Sequence, residues 1–162
     1  MARPVTFDRT QVLQQAIQLF WLQGYSNTSI KNLVDATGLQ PGSLYAAFGD
    51  KRGIFLAALD AYFDAMKRNF FSVLHNDKMP NVRLTDFFYQ LLQESSSDPD
   101  RKGCLLINTL SEIPVNDTEI NSRLQTMFAE VELELQQLLI ECKTQGQLHN
   151  YQDPNSLAKF LL

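Results

Sequence analysis

Apolar residues recur along this chain at the three- and four-residue spacing of amphipathic helices, and no segment carries a clear two-residue strand pattern. The first predicted helix runs from about Arg9 to Gln23. Thr6 or Asp8 is its expected N-cap, and Gly24 is expected to stop it. The chain therefore opens with one long amphipathic helix.

Two short helical patterns follow. Thr28 or Ser29 is expected to cap the second helix, which ends at Gly38 in a left-handed turn. Pro41 suits the first turn of the third helix, which Leu44 anchors in the core. Two short helices joined at a glycine are typical of a helix-turn-helix, which places its second helix in the major groove of DNA.

The remaining pattern is also helical. A long fourth helix is expected from residue 50 to Val73, followed by helices at Leu84–Glu94, Cys104–Glu112 and Thr118–Gln145. A last helix, capped by Asp153, has no C-terminal signal, so we expect the chain to be truncated. The predicted fold is all-α: a three-helix DNA-binding domain at residues 1–50, then a helical domain for ligand binding and dimerisation at 51–162.

Composition narrows the class of protein. The net charge is −4, but residues 1–55 hold five basic and three acidic residues, whereas residues 56–162 hold nine and fifteen. A slightly basic head on an acidic body favours a DNA-binding protein with a separate control domain. No apolar run is long enough to cross a membrane, and the two cysteines have no metal-ligand spacing. We expect a cytoplasmic protein without metal or cofactor.

The DNA contacts can be assigned by residue type. Gln, Ser and Ala on the outer face of the third helix can read base edges, while a glycine there lets the backbone approach the duplex. Hydroxyl groups, helix N-termini and lysines can bind phosphate, and Arg3 and Arg9 could reach along the DNA backbone or into the minor groove. The predicted DNA-binding residues are Thr28, Ser29, Gln40, Pro41, Gly42, Ser43, Tyr45, Ala46 and Lys51.

Each phosphate assignment has a structural alternative. In this alternative, Thr28 and Ser29 serve only as helix caps. Tyr45 is then a half-buried packing residue, and Lys51 is a solvated charge. At the start of a helix Lys51 is unfavourable for the helix dipole, which favours the functional interpretation.

A set of residues between positions 9 and 56 forms a recognisable pattern. They are Ala16, Phe20, Gly24–Tyr25, Thr28–Ser29–Ile30, Gly38–Leu39, Gly42–Ser43–Leu44–Tyr45, Phe48 and Lys51. With this pattern the head resembles that of the TetR family of transcriptional regulators, and a stretch of the body, Gly103–Glu112, is similar to one TetR subgroup.

The resemblance implies a bacterial homodimer that represses nearby genes from a palindromic operator on double-stranded DNA. It also implies that the dimer leaves the operator when a small molecule enters the body. The chain departs from the family pattern where Pro41 follows Gln40, since many members place Lys or Arg near the start of this helix. The family's final helix pair, which forms the dimer bundle, is expected to be incomplete.

The body should then hold an effector pocket. Asn108 and Glu112 lie one turn apart on a very apolar helix, and buried polar groups need partners, of which a ligand is one. The alternative is that the apolar residues only form core. The predicted ligand-binding residues are Phe63, Met66, Phe70, Phe88, Cys104, Ile107, Asn108, Glu112 and Phe128.

Cys104 raises alternative functions. It stands at a predicted helix N-terminus beside Arg101 and Lys102, which favours a reactive thiolate and hence a redox or electrophile sensor. The alternative is that Cys104 is a small buried apolar residue.

A Cys-dependent enzyme would need His75 or His149 as a base, and neither lies in a known motif, so we expect no enzyme. A helical protein-interaction module is the remaining alternative.

Overall fold

The computed structural model describes residues 7–162. Within that range every regular element is a helix, which confirms the predicted all-α fold. Thr6 and Arg3, a predicted cap and a predicted DNA contact, lie outside it. The elements are α1 (Arg9–Asn27), α2 (Ile30–Thr37), α3 (Pro41–Phe48), α4 (Lys51–Met66), a π-helical segment (Lys67–Phe71), α5 (Ser72–Leu74), α6 (Pro80–Ser97), α7 (Leu105–Glu112), α8 (Thr118–Thr144) and α9 (Pro154–Leu161).

Side-chain caps set several helix starts. Asp8 accepts hydrogen bonds from the amides of Thr10 and Gln11 at the start of α1. Ser29 forms a reciprocal capping box with Asn32 at the start of α2, and Asp153 caps α9. Because these carboxylate and hydroxyl oxygens satisfy amides that have no partner within the helix, the starts are fixed by local sequence.

The helices pack into two compact units. The first holds the described residues up to Asp64 together with Lys102–Asp117, and the second holds Ala65–Arg101 and Thr118–Leu162. Residues 102–117 therefore return to the first unit after an excursion of the chain. The functional division into domains at residues 1–50 and 51–162 stays a prediction.

An apolar core connects the helices of the first unit. Phe20 of α1 packs edge-on against Phe55 of α4, with ring centroids 4.9 Å apart. Leu33 and Leu44 bring α2 and α3 onto the same core and are fully buried. These contacts hold the two short helices, which are too short to be stable alone, on the longer α1 and α4.

The second unit has its own core. Phe70 and Phe87 pack edge-on with centroids 6.1 Å apart, and α8 supplies a buried stripe. Arg83, which is also buried, donates to the Leu74 carbonyl and pairs with Glu141. The buried residues of α8 are Ile120, Leu124, Met127, Val131, Leu135, Leu138, Leu139 and Cys142.

Candidate nucleic-acid interface

Helix α3 has one buried and one exposed side. Leu44 is fully buried, whereas its neighbour Tyr45 is 44% exposed. Gln40, Pro41, Gly42 and Ala46 are exposed, and Ser43 is half-buried. A side chain added at Gly42 would meet no atom of the protein within 4 Å, so packing does not explain a glycine there. The predicted base-reading residues therefore share one accessible surface.

The two neighbouring hydroxyl groups at the start of α2, those of Thr28 and Ser29, differ in their exposure to solvent. Ser29 is exposed as the N-cap, so its surroundings are open to a phosphate. Thr28 is 0% exposed, and its hydroxyl donates to the Gly24 carbonyl over 2.6 Å. For Thr28 the structure supports a packing and capping role, the alternative to phosphate binding.

Lys51 points into the first unit. Its ammonium nitrogen donates to the carbonyls of Tyr25 and Thr28, both at 2.8 Å, and lies 3.5 Å from that of Ser26. It also lies 4.4 Å from the centroid of the Tyr25 ring. An ammonium group has three donors, and these carbonyls occupy them. Lys51 is thus bonded to the protein rather than freely solvated.

Arg9 contacts the C-terminal end of α3. Its guanidinium donates to the Ala47 carbonyl over 3.2 Å and lies 4.3 Å from the centroid of the Phe48 ring. The last carbonyls of a helix lack partners within it, so a cation there stabilises the end of α3. From the sequence alone, Arg9 is expected at the DNA backbone or in the minor groove, and no local pattern indicates a contact 38 residues away.

Glu112, predicted to bind a ligand, contacts the helix-turn-helix unit. Its carboxylate accepts hydrogen bonds from the amide of Tyr25 over 2.8 Å and from that of Ser26 over 2.7 Å. Partial burial raises the pKa of Glu112, but these bonds and the nearby Lys51 charge outweigh it, so the pKa lies below its ordinary value. Glu112 is thus a carboxylate that already has protein partners.

The predicted ligand-binding residues are divided between the two units. Phe63, Cys104, Ile107, Asn108 and Glu112 belong to the first unit; Met66, Phe70, Phe88 and Phe128 belong to the second. Phe63 and Phe70 are buried, while Ile107 and Asn108 are exposed. The Asn108 amide donates to the Lys102 carbonyl over 2.7 Å. A common effector pocket stays a prediction.

The two cysteines differ in environment. Cys104 is the half-buried N-cap residue of α7, and its sulfur lies 3.9 Å from the Tyr62 hydroxyl. Cys142 is buried in the second unit, and desolvation raises the pKa of its thiol. Cys142 is therefore the less reactive of the two.

Across residues 7–162, no helix is long and apolar enough to cross a bilayer. In the same part of the chain, no three His, Cys, Asp or Glu side chains come together as metal ligands.

Two family models match separate parts of the chain, and known proteins match nearly all of it. The model described as bacterial regulatory proteins, tetR family, matches residues 12–58, and the tetracyclin repressor-like C-terminal domain matches residues 80–162. The HTH-type transcriptional repressor ComR of Escherichia coli K12 is 34% identical over 160 residues, covering 98% of this chain and 76% of ComR. The repressor DhaR of Mycobacterium sp. is 26% identical over 155 residues, covering 95% of this chain and 76% of DhaR.

Solved structures agree with this match. A cysteine-substituted form of the TetR family transcriptional regulator CifR, complexed with 26-base-pair double-strand operator DNA, superposes with a TM-score of 0.84. It is 29% identical, and the match covers 98% of this chain and 83% of that one. The reduced form of E. coli NemR has a TM-score of 0.85 over 94% of this chain and 80% of NemR; at 21% identity it shows the fold alone.

Proposed function

Because the chain belongs to the TetR family of bacterial regulatory proteins, we propose that it represses transcription as a homodimer bound to a palindromic operator. Its DNA would be double-stranded, and a small-molecule or stress signal would release it. A regulator of bacterial genes acts where the DNA is, so we expect it in the cytoplasm. We propose no catalytic role, since the family consists of regulators of transcription.

The observation that carries the proposal is the division of α3 between Leu44 inside and Tyr45 outside. We propose that Gln40, Ser43 and Ala46 read base edges in the major groove. The exposed Tyr45 and Ser29 would contact phosphate, and Gly42 would let the backbone approach the duplex. Pro41 fixes the first turn of α3 and adds no donor of its own.

Thr28, Lys51 and Arg9 are better proposed as supports than as contacts. Their polar atoms bond to carbonyls of the first unit. Each would act by holding α2 and α3 in place. A symmetric dimer would then present two α3 helices about 34 Å apart, one turn of the duplex.

The test begins with the duplex that the protein itself selects from a random-sequence double-stranded pool. We expect a palindrome that binds two protomers. Gln40→Ala should cost about 1–3 kcal/mol of discrimination at one base pair of each half-site, because Gln can bond a base edge. Titration of duplexes with single substitutions measures this loss.

The matched control is Gln137→Ala, which removes an exposed Gln from α8 in the second unit. It should leave the discrimination unchanged. If the protein selects no sequence from the pool, the proposed function is contradicted. The same holds if it binds single-stranded nucleic acid as tightly as duplex DNA.

A second candidate concerns the signal. Cys104 is accessible at the α7 N-cap and next to the Tyr62 hydroxyl, whereas Cys142 is buried, so we propose Cys104 as the site where a thiol-reactive signal would act. Iodoacetamide should then lower operator affinity in the parent and in Cys142→Ser, but not in Cys104→Ser. If mass spectrometry shows that Cys104 is alkylated in protein that still binds the operator, Cys104 is not the sensor. Release by a small molecule is then the remaining proposal.

A further inference from the structure

The chain makes a sharp turn at the end of α1. Gly24 has φ 78° and ψ 170°, so regular helix geometry stops there and resumes only for the turn at Tyr25–Asn27. The amides of Tyr25 and Ser26 are thus the first amides of a new helical turn. Such amides have no partner within the helix and need an acceptor from elsewhere. We call residues 24–28 the Gly24 turn.

Glu112 supplies that acceptor from a distant part of the chain. One carboxylate oxygen takes the amide of Tyr25 and the other takes that of Ser26, at 2.8 and 2.7 Å. A carboxylate accepting amides at the start of a helical turn is stabilised by charge and by the peptide dipoles. Glu112 therefore acts as an N-cap that is 87 residues away from the amide of Tyr25.

The opposite side of the Gly24 turn is held by a cation. Lys51 donates to the carbonyls of Tyr25 and Thr28, and the Thr28 hydroxyl donates to the Gly24 carbonyl. The turn is thus bound by an anion at its amides and by a cation at its carbonyls. Since Ser29, the N-cap of α2, follows immediately, this turn determines how the chain enters α2.

Glu112 is itself fixed in position. The Trp21 indole donates to the Gly103 carbonyl over 3.0 Å, close to the start of α7. Beyond the end of α7, Arg52 and Asp117 form a two-point ion pair at 2.7 and 2.8 Å. Because both flanks of α7 are tied to the first unit, the carboxylate is held against the Gly24 turn.

We propose that Glu112 is a positioning residue for DNA binding: from α7, its carboxylate holds the Gly24 turn so that α2 and α3 are presented in the geometry the operator requires. This rests on the proposed function. Without the carboxylate, only a fraction of the molecules adopts the competent geometry. The observed operator affinity falls in proportion to that fraction. Ser29 and Tyr45 make the same phosphate contacts once the competent geometry is adopted.

The test compares Glu112→Gln with the parent on the duplex selected from the random pool. The amide side chain has one acceptor oxygen, so one backbone amide faces an NH2 group instead. Affinity for the selected duplex should fall by about tenfold, a change typical of losing a charge-assisted hydrogen bond. Binding to random-sequence duplex and its salt slope should stay as in the parent. Glu132→Gln, with the same charge change in α8, should match the parent throughout.

A second readout separates positioning from simple stability. Hydrogen exchange at the amides of Tyr25 and Ser26 should become faster in Glu112→Gln at a temperature where the variant is fully folded. Faster exchange with parental operator affinity would overturn the proposal and leave Glu112 a purely structural role. Unchanged exchange would overturn it as well.

Two further results keep the test decisive. Should Glu112→Gln fail to fold, Glu112→Asp keeps the charge with a shorter reach; its operator affinity is expected to fall below the parent's, and a parental affinity overturns the proposal. If the parent itself selects no duplex, the proposed function has failed. If the parent selects one that Glu112→Gln binds equally well, only the role of Glu112 has failed.

Discussion

At the scale of single residues, Gly24 shows why a glycine can be needed for two reasons. Its φ of 78° with ψ of 170° is a backbone region that residues with a side chain rarely adopt. An added Cβ would also lie 2.7 Å from a carboxylate oxygen of Glu112. The sequence predicted the stop at Gly24 correctly. It could not show that the absence of a side chain there leaves room for the Glu112 carboxylate.

Gly24→Ala should lower the free energy of unfolding by about 3 kcal/mol, since backbone strain and a displaced carboxylate add together. Gly38→Ala is the matched control. Gly38 has φ 68° and ψ 3°, and an added Cβ there meets nothing within 4 Å. Its cost should be about 1 kcal/mol, that of the left-handed conformation alone. Urea unfolding measures both, and equal losses would contradict the role given to the Gly24–Glu112 contact.

The local residue signals were read well from the sequence. Ser29 as a cap, Pro41 in the first turn of α3 and Asp153 at the start of α9 all hold in the structure. Each depends on bonds or backbone angles within a few residues. Glu112 was assigned to a ligand because a polar residue on an apolar helix needs a partner. That inference was sound, but nothing in one sequence could identify the partner as two backbone amides.

At the scale of elements, the start of α4 explains a residue that looked out of place. A lysine in the first turn opposes the helix dipole, and from the sequence alone this favours phosphate binding. In the structure the Lys51 ammonium lies against carbonyls of the Gly24 turn. Those carbonyls provide the negative partial charge that offsets the unfavourable position.

The salt dependence of binding distinguishes the two roles. A lysine that contacts phosphate contributes about one unit to the slope of log affinity against log salt. We expect Lys51→Met to lower operator affinity at every salt concentration with the slope unchanged, because its charge is bonded internally. Lys143→Met, which removes an equal charge from α8, should change neither quantity. A slope flatter by about one in Lys51→Met would return Lys51 to the phosphate contacts.

Helix periodicity predicted the elements better than their details. A single helix was expected from residue 50 to Val73, whereas the structure has α4, a π-helical segment at Lys67–Phe71 and α5. A π-helical turn inserts a residue without removing the apolar face, so the pattern of apolar positions does not reveal it. The start of α6 at Pro80, rather than Leu84, is not apparent from the sequence, because the buried positions of its first turn are Pro80 and the charged Arg83.

At the scale of the whole molecule, fold class and family were accessible from the sequence, whereas the long-range polar contacts were not. Periodicity reports which side of each helix is buried. It does not report which helix covers it. The contacts that hold the first unit together, such as Trp21 with Gly103 and Arg52 with Asp117, join residues 82 and 65 positions apart. No spacing rule relates residues so distant.

The return of residues 102–117 to the first unit has a practical consequence for protein engineering. Consider a hybrid made by grafting this head onto another regulator's body with a single crossover in α4, which leaves residues 102–117 behind. Such a graft would bring a foreign acid, or none, to the capped amides of Tyr25 and Ser26. A working hybrid of this regulator would have to transplant two separate stretches of sequence together.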